Sequence, residues 1–462
     1  MKKSNKKSFL LYDYETFENN LIKIRPAKFS FIKTSLNLKR KNKIKSLFCK
    51  ISEDYIPSVD SILNIGTDLK LFKANEIKES DFSRKVYKTF LFNKYTICYD
   101  SDFNQLITEE ILNRNFYDQN IIQENKKFEL DILKILATCY LFRPYGIKWK
   151  KNNGVPNFGV KDFFLKNKIK NFNSNLNILN LIKIIQFIKT RKPKVFKYFL
   201  YTAEKKSIIN IINKRKKNPF LYISKISRIH NPKVDMLIPL FWNSNKKNLL
   251  ISLKLTRNIE KFIHFLSKKL EDIYYLEDKI MKFIQFIDVS KFPVLLPINI
   301  LKNEDLNKIC CNFDKCSKNL FLFKKYQNIN NNLNRKLKNL VLSFLERSEK
   351  KTRNRIVLSK RDRMILEIFQ QTKPERLYEL NLCDKDIKLS KSFFYYRARN
   401  YFESLTKKEK ISWKVYKNNI IKKENIILCL KKIEKLLKNN MYNKKKYKNL
   451  VEIKEYFEKL LK

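Results

Sequence analysis

Residues 218 to 240 read Asn218-Pro219-Phe220-Leu-Tyr-Ile223-Ser-Lys-Ile226-Ser-Arg-Ile229-His230-Asn231-Pro232-Lys-Val234-Asp235-Met236-Leu237-Ile238-Pro239-Leu240, and two periods meet inside them. The first half carries Phe220, Ile223, Ile226 and Ile229 at three-residue spacing. Asn218 suits a helix cap, Pro219 suits the first helical position, and Asn231-Pro232 suits a stop, so the pattern predicts a helix. From Val234 the period drops to two: Val234, Met236, Ile238 and Leu240 alternate, a polar segment runs from Asn243 to Asn248, and Leu249, Ile251, Leu253 and Leu255 alternate again. That predicts a β-hairpin over 234–255.

On either side of this stretch, helical spacing dominates. Ile178, Leu181, Ile182, Ile185 and Ile188 share one face, and Val195, Phe196, Phe199, Leu200 and Ala203 share another. A helix follows the hairpin through Ile259, Phe262, Ile263, Leu266 and Leu270, and others are predicted at 128–139, 333–344, around Met364 to Phe369, and as a basic pair over 426–462. The stretch Asn152 to Gly159 reads as a closing loop. The predicted fold class is mainly α: a helical bundle with an inserted β-hairpin, carrying large N- and C-terminal extensions. Its divisions are an N-terminal extension over 1–170, a first core part over 171–270, an insertion over 271–332, a second core part over 333–400, and a basic helical extension over 401–462.

The chain carries 100 Lys+Arg against 45 Asp+Glu, a formal net charge of +55 over 462 residues. A compact chain with that charge needs a polyanion to relieve its self-repulsion, and hydrophobic residues at 44% exclude a disordered basic tail. The charge forms no single amphipathic face, and no run approaches the roughly 18 to 20 apolar residues of a membrane span, so nucleic acid is the expected partner and a membrane is not. Few glycines and abundant Lys, Asn, Ile, Phe and Tyr point to an A/T-rich genome. The start runs into Asp13, Glu15 and Glu18 without the acid-poor character of a transit peptide, which suggests synthesis inside the compartment of use.

Three short motifs, Tyr201-Thr-Ala203, Asn218-Pro219-Phe220 and Pro232-Lys-Val234-Asp235, together with the order of helices around one hairpin, resemble the small-subunit ribosomal protein seven family. Pro219 and Pro232 stand thirteen positions apart, as in that family's pattern. Ser359-Lys360-Arg361-Asp362-Arg363-Met364 is similar to the basic run that opens its last helix, and Phe393 to Arg397 to its aromatic-arginine ending. The family's paired glycines and arginines at the hairpin are absent, with Leu237, Ile238, Phe241, Trp242 and Asn243 in their place. The resemblance implies a structural constituent of a mitochondrial small ribosomal subunit, without enzyme activity, cofactor or metal. It would bind small-subunit ribosomal RNA in the head near the exit site, beside neighbouring ribosomal proteins and close to transfer and messenger RNA. Lys189, Arg191, Lys192, Lys194, Lys246, Lys247, Arg257, Lys360, Arg361 and Arg363 would form the RNA-binding face, reading backbone shape through many contacts.

Two other classes compete. A maturase, polymerase or nuclease of an organellar genome would be equally basic, but metal-assisted chemistry needs clustered carboxylates, and Tyr99-Asp100-Ser101-Asp102 and Glu277-Asp278 sit on no recognisable hairpin. A basic accessory subunit of an organellar complex would dock through the C-terminal helices. The four glycines form no phosphate-cradling loop, and two histidines, His230 and His264, argue against histidine-based acid/base chemistry. Cys310, Cys311 and Cys316 form no CxxC pair and read as reduced thiols ahead of a structural zinc site.

Overall fold

The computed structural model describes the chain outside residues 1–7, 19–23, 66–68, 174–176, 215–217, 225, 227–230, 268–272, 303–311, 330, 352–359, 381–386, 440–443 and 462, and outside the side chains of a few further helical residues, Lys360, Arg361 and Arg363 among them. The described chain divides into two units: residues 1–126, 173–182 and 358–462, and residues 127–172 and 183–357.

In the first unit, strands β1 (Phe9–Thr16), β2 (Pro26–Thr34), β3 (Lys45–Cys49), β4 (Glu76–Ile77) and β5 (Tyr95–Cys98) run in the order β4-β3-β2-β1-β5. β1 pairs antiparallel with β2 and parallel with β5, where Leu10 meets Thr96 and Leu11 meets Ile97. Its first four residues are all buried, which explains why β1 is not an alternating strand in the sequence: a central strand covered on both faces reads as a continuous apolar run. Helices Glu79–Phe92 and Ser101–Arg114 cover one face, packing Phe82, Val86, Ile107 and Ile111 against Leu10, Tyr12, Tyr14 and Phe29. Helices Lys423–Asn439 and Lys444–Leu461 send Ile426, Ile433, Leu450 and Phe457 into a second core with Phe17, Val59, Ile62 and Phe72.

The second unit carries β6 (Phe128–Asp131), a small hairpin of β7 (Lys150–Asn152) and β8 (Val155–Asn157), and a five-stranded antiparallel sheet. That sheet is built from β9 (Phe220–Ser224), β10 (Lys233–Trp242), β11 (Leu249–Lys254), β12 (Ile284–Asp288) and β13 (Val294–Pro297) in the order β12-β11-β10-β9-β13. Helix Lys205–Lys214 lays Ile208 and Ile212 against Phe220, Leu237, Leu250 and Leu295.

These features correct the expectation of a mainly α bundle. The fold is mixed α/β. The alternation over 234–255 is an antiparallel pair, β10 with β11, from Leu237 opposite Lys254 to Trp242 opposite Leu250. The residues expected to open a helix at Phe220 instead form β9, held between β10 and β13 with Tyr222 opposite both Asp235 and Leu295. A short apolar run such as Phe-Leu-Tyr-Ile suits either state, and two waiting sheet partners decide for the strand. Segment 271–332 supplies β12 and β13, so the sheet is incomplete without it. The expected loop at 152–159 is the β7–β8 turn, with Asn153 and Gly154 both at positive φ, 49° and 81°, as a tight hairpin turn requires. Among the described residues no helix is long and apolar enough to cross a membrane.

Candidate active site and nucleic-acid interface

Asp13 and Glu15 project from one face of β1, two residues apart, while Tyr12 and Tyr14 pack into the core on the other. Across the strand pair, Asp13 faces Ser30 and Glu15 faces Lys28. Lys28 is only 2% exposed, and its ammonium lies 3.3 Å from Glu15 Oε1. The other carboxylate oxygen, Oε2, is buried without a hydrogen-bond partner. Burial pushes the Glu15 carboxyl up to about 8; Lys28 pulls it back only in part, and Asp13 adds to the rise.

The β5–helix joint stands beside this face. Because β5 runs parallel to β1, the helix that follows it, Ser101–Arg114, starts at the end of the sheet where β1 carries its acids, the position at which parallel strands place ligand sites. Asp100 caps that helix, accepting from the Phe103 amide at 3.1 Å. Asn104, one turn further, is 1% exposed and neither end of its amide finds a partner. An unsatisfied buried amide is uncommon and marks a position set by something other than packing.

Divalent-ion catalysis of phosphodiester hydrolysis draws on clustered carboxylates. Among the described residues no three His, Cys, Asp or Glu side chains form a group able to hold an ion. Asp13 and Glu15 fit one ion completed by substrate oxygens, as magnesium is commonly held, and do not fit a two-ion clamp. Glu277, weighed in the sequence as part of a carboxylate pair, is fully buried and engaged by Ser343 and Arg347. Cys316 is buried, and Cys310, Cys311 and His230 lie outside the described residues.

In the second unit a cleft of about 950 Å³ opens on the sheet beside β9 and β10, lined among others by Tyr140, Tyr222, Lys233, Lys254 and Arg257. Asn319 donates to the carbonyls of Leu255 and Arg257 at 2.8 and 2.7 Å, fixing the turn that carries Arg257. Another cavity, about 490 Å³, holds Trp242 with Phe241, Phe323 and Lys324, and the Trp242 indole donates to Asn213 at 3.3 Å. Cations interleaved with aromatic rings are what a single nucleic-acid strand needs for its phosphates and its bases.

Of the basic residues singled out in the sequence, Arg257 lines the larger cleft. Lys246 and Lys247 are exposed on the β10–β11 turn, at the other end of the strand pair, roughly 30 Å of extended chain from Arg257. Lys189, Arg191 and Lys194 are exposed and Lys192 is half-buried around the joint between helices Asn177–Arg191 and Pro193–Thr202. The side chains of Lys360, Arg361 and Arg363 lie outside the described residues. Sequence reasoning missed Asp13 and Glu15 as a site. The signal available was two acids at i and i+2 directly after the apolar run Phe9 to Tyr12, a spacing that puts both carboxylates on one strand face.

Two family models match the chain: the exonuclease I SH3-like domain over residues 203–339, and the exonuclease I C-terminal domain over residues 356–460. The exodeoxyribonuclease I of Buchnera aphidicola subsp. Schizaphis graminum is 30% identical over 98% of this chain and 96% of its own length. A solved structure of SSB/exonuclease I in complex with the inhibitor CFAM superposes with a TM-score of 0.79 at 24% identity, covering 99% of this chain and 100% of that one. Escherichia coli exonuclease I in complex with a dA16 oligonucleotide does so with a TM-score of 0.74 at 23% identity, covering 98% and 100%. These findings overturn the ribosomal reading. The likeness is to a bacterial enzyme, so the resemblance to the small-subunit ribosomal protein seven family, the mitochondrial location, the ribosomal RNA and protein partners, and the absence of enzyme activity are all corrected. The misleading motifs were short: Pro219 and Pro232 stand directly before strands β9 and β10, and Tyr201 closes helix Pro193–Thr202.

Proposed function

Because the chain belongs to the exodeoxyribonuclease I family, we propose that it degrades single-stranded DNA from an end. The observation that carries this is the match along essentially the whole length of the chain, 98% of it to the Buchnera enzyme. The net charge of +55 draws the polyanion in, and Lys233, Lys254 and Arg257 grip phosphates while Tyr222 and Tyr140 offer ring faces to bases. Lys189, Arg191, Lys192, Lys194, Lys246 and Lys247 serve the same backbone at other points of its path. Chemistry belongs at Asp13 and Glu15, which share one face of β1 at the end of the sheet where the helix after β5 begins and would hold the ion that activates an attacking water.

A 5′-labelled linear oligothymidylate and a closed single-stranded circle test the reading, each incubated with the purified chain and magnesium. Progressive shortening of the linear strand with the circle left intact is expected. Cleavage of the circle, or a linear strand neither bound nor shortened, would remove the exonuclease assignment.

A further inference from the structure

We propose that Lys28 is a resident cation of the Asp13–Glu15 carboxylate pair, so that the site takes one divalent ion and takes it weakly. The inference rests on the nuclease reading above and adds a residue that sets its metal demand.

The geometry is specific. Lys28 stands in register opposite Glu15, with its ammonium 3.3 Å from Oε1 and its side chain 3% exposed, so the pair is shielded from the water that would screen it. The Phe48 ring on β3, in register with Lys28 on its other side, lies 5.9 Å from the ammonium and steadies it from the rear. A divalent ion ligated by Glu15 would therefore meet a fixed positive charge at close range, and the repulsion is large where the local dielectric is low. The ligand supply points the same way, because no third acidic, histidine or cysteine side chain joins the pair among the described residues. The Lys28 ammonium already engages Glu15 Oε1, which leaves Oε2 as the oxygen without a partner.

Manganese binding to the full chain, followed by titration calorimetry and by the electron paramagnetic resonance signal of free manganese, tests this directly. The wild type is expected to bind one ion. Lys28→Gln is expected to lower its Kd at least tenfold and to shift the magnesium needed for half-maximal strand shortening downward by a similar factor, while Lys28→Arg behaves as wild type. Two ions bound by the wild type, or a Lys28→Gln Kd within twofold of wild type, would overturn the proposal. If Lys28→Gln does not fold, the wild-type stoichiometry decides alone. A chain that binds one ion and gains affinity in Lys28→Gln, yet never shortens DNA, would refute the nuclease reading and leave this one standing.

Discussion

Arg114, at the last turn of helix Ser101–Arg114, donates through Nε to the buried carboxylate of Glu79 at 2.7 Å, tying that helix to the first turn of helix Glu79–Phe92. Asn115 donates to the same oxygen at 2.9 Å, and Arg25 approaches Glu79 Oε2 at 3.7 Å. Arg25 also reaches Asp54, which Arg399 holds at 2.8 Å, so residues 25, 54, 79, 114 and 399 form one charge network inside the first unit. Acids far apart in sequence are thereby fixed to one another through arginines.

This network makes part of the fold's stability dependent on acid pH. Burial pushes the Glu79 carboxyl up, but Arg114 and Arg25 outweigh it and hold the group at about 2; Asp54, desolvated yet paired with Arg399 and Arg25, is likewise lowered. A depressed acid stabilises the fold fully above its unfolded value near 4.5 and loses that contribution as pH falls toward 2. For Glu79 the amount is on the order of 3 kcal/mol. Urea unfolding at pH 7 and pH 3 should show the loss, and Glu79→Gln should lower stability at pH 7 by about 3 to 5 kcal/mol by stranding its arginines, while flattening the acid limb. An acid limb unchanged in the variant would rule out Glu79 as its source.

Trp413 is 1% exposed and stacks with Tyr416 at 5.4 Å between ring centroids, against Phe394 and Tyr395. Trp413→Ala should cost about 3 to 5 kcal/mol, and Trp413→Phe distinctly less, in thermal or denaturant unfolding followed by circular dichroism. Equal losses in the two variants would show that ring volume is not what the site uses.

Lys233, Lys254 and Arg257 share one cleft, and their joint replacement by glutamine should reduce the salt dependence of single-strand binding. Each phosphate contact contributes about 0.7 to the log-log slope for a single strand, so the triple variant should lose about 2. Fluorescence anisotropy with labelled oligothymidylate across a sodium chloride series reads this. An unchanged slope would take these three residues off the strand's path.

Trp242 lies half-buried in the smaller cavity, with Lys324 on the same wall. If a base stacks there, Trp242→Ala should weaken oligonucleotide binding by about 1 to 3 kcal/mol while Trp242→Phe retains most of it. Matched affinities for wild type and Trp242→Ala, with melting temperature lowered, would assign the ring to packing alone.

Much of the local structure was legible in the chain alone, but the partner was not: a charge of +55 suits any polyanion, and the expected ribosomal RNA is overturned by the likeness to exodeoxyribonuclease I. The alternation from Val234 to Leu255 can pair as strands because side-chain period is a local property. The helices over 177–191, 193–202 and 259–267 were legible for the same reason. The remainder depended on contacts between segments remote in the chain. Phe220 to Ser224 became a strand because β10 and β13 offer it hydrogen bonds on both sides, which no local spacing can reveal. Asp13 and Glu15 stand out as a candidate site only once β2 brings Lys28 opposite and β5 sets a parallel neighbour beside them. Electrostatic fields and buried donors depend on distances between segments remote in the chain, and those distances exist only once the sheet has closed around them.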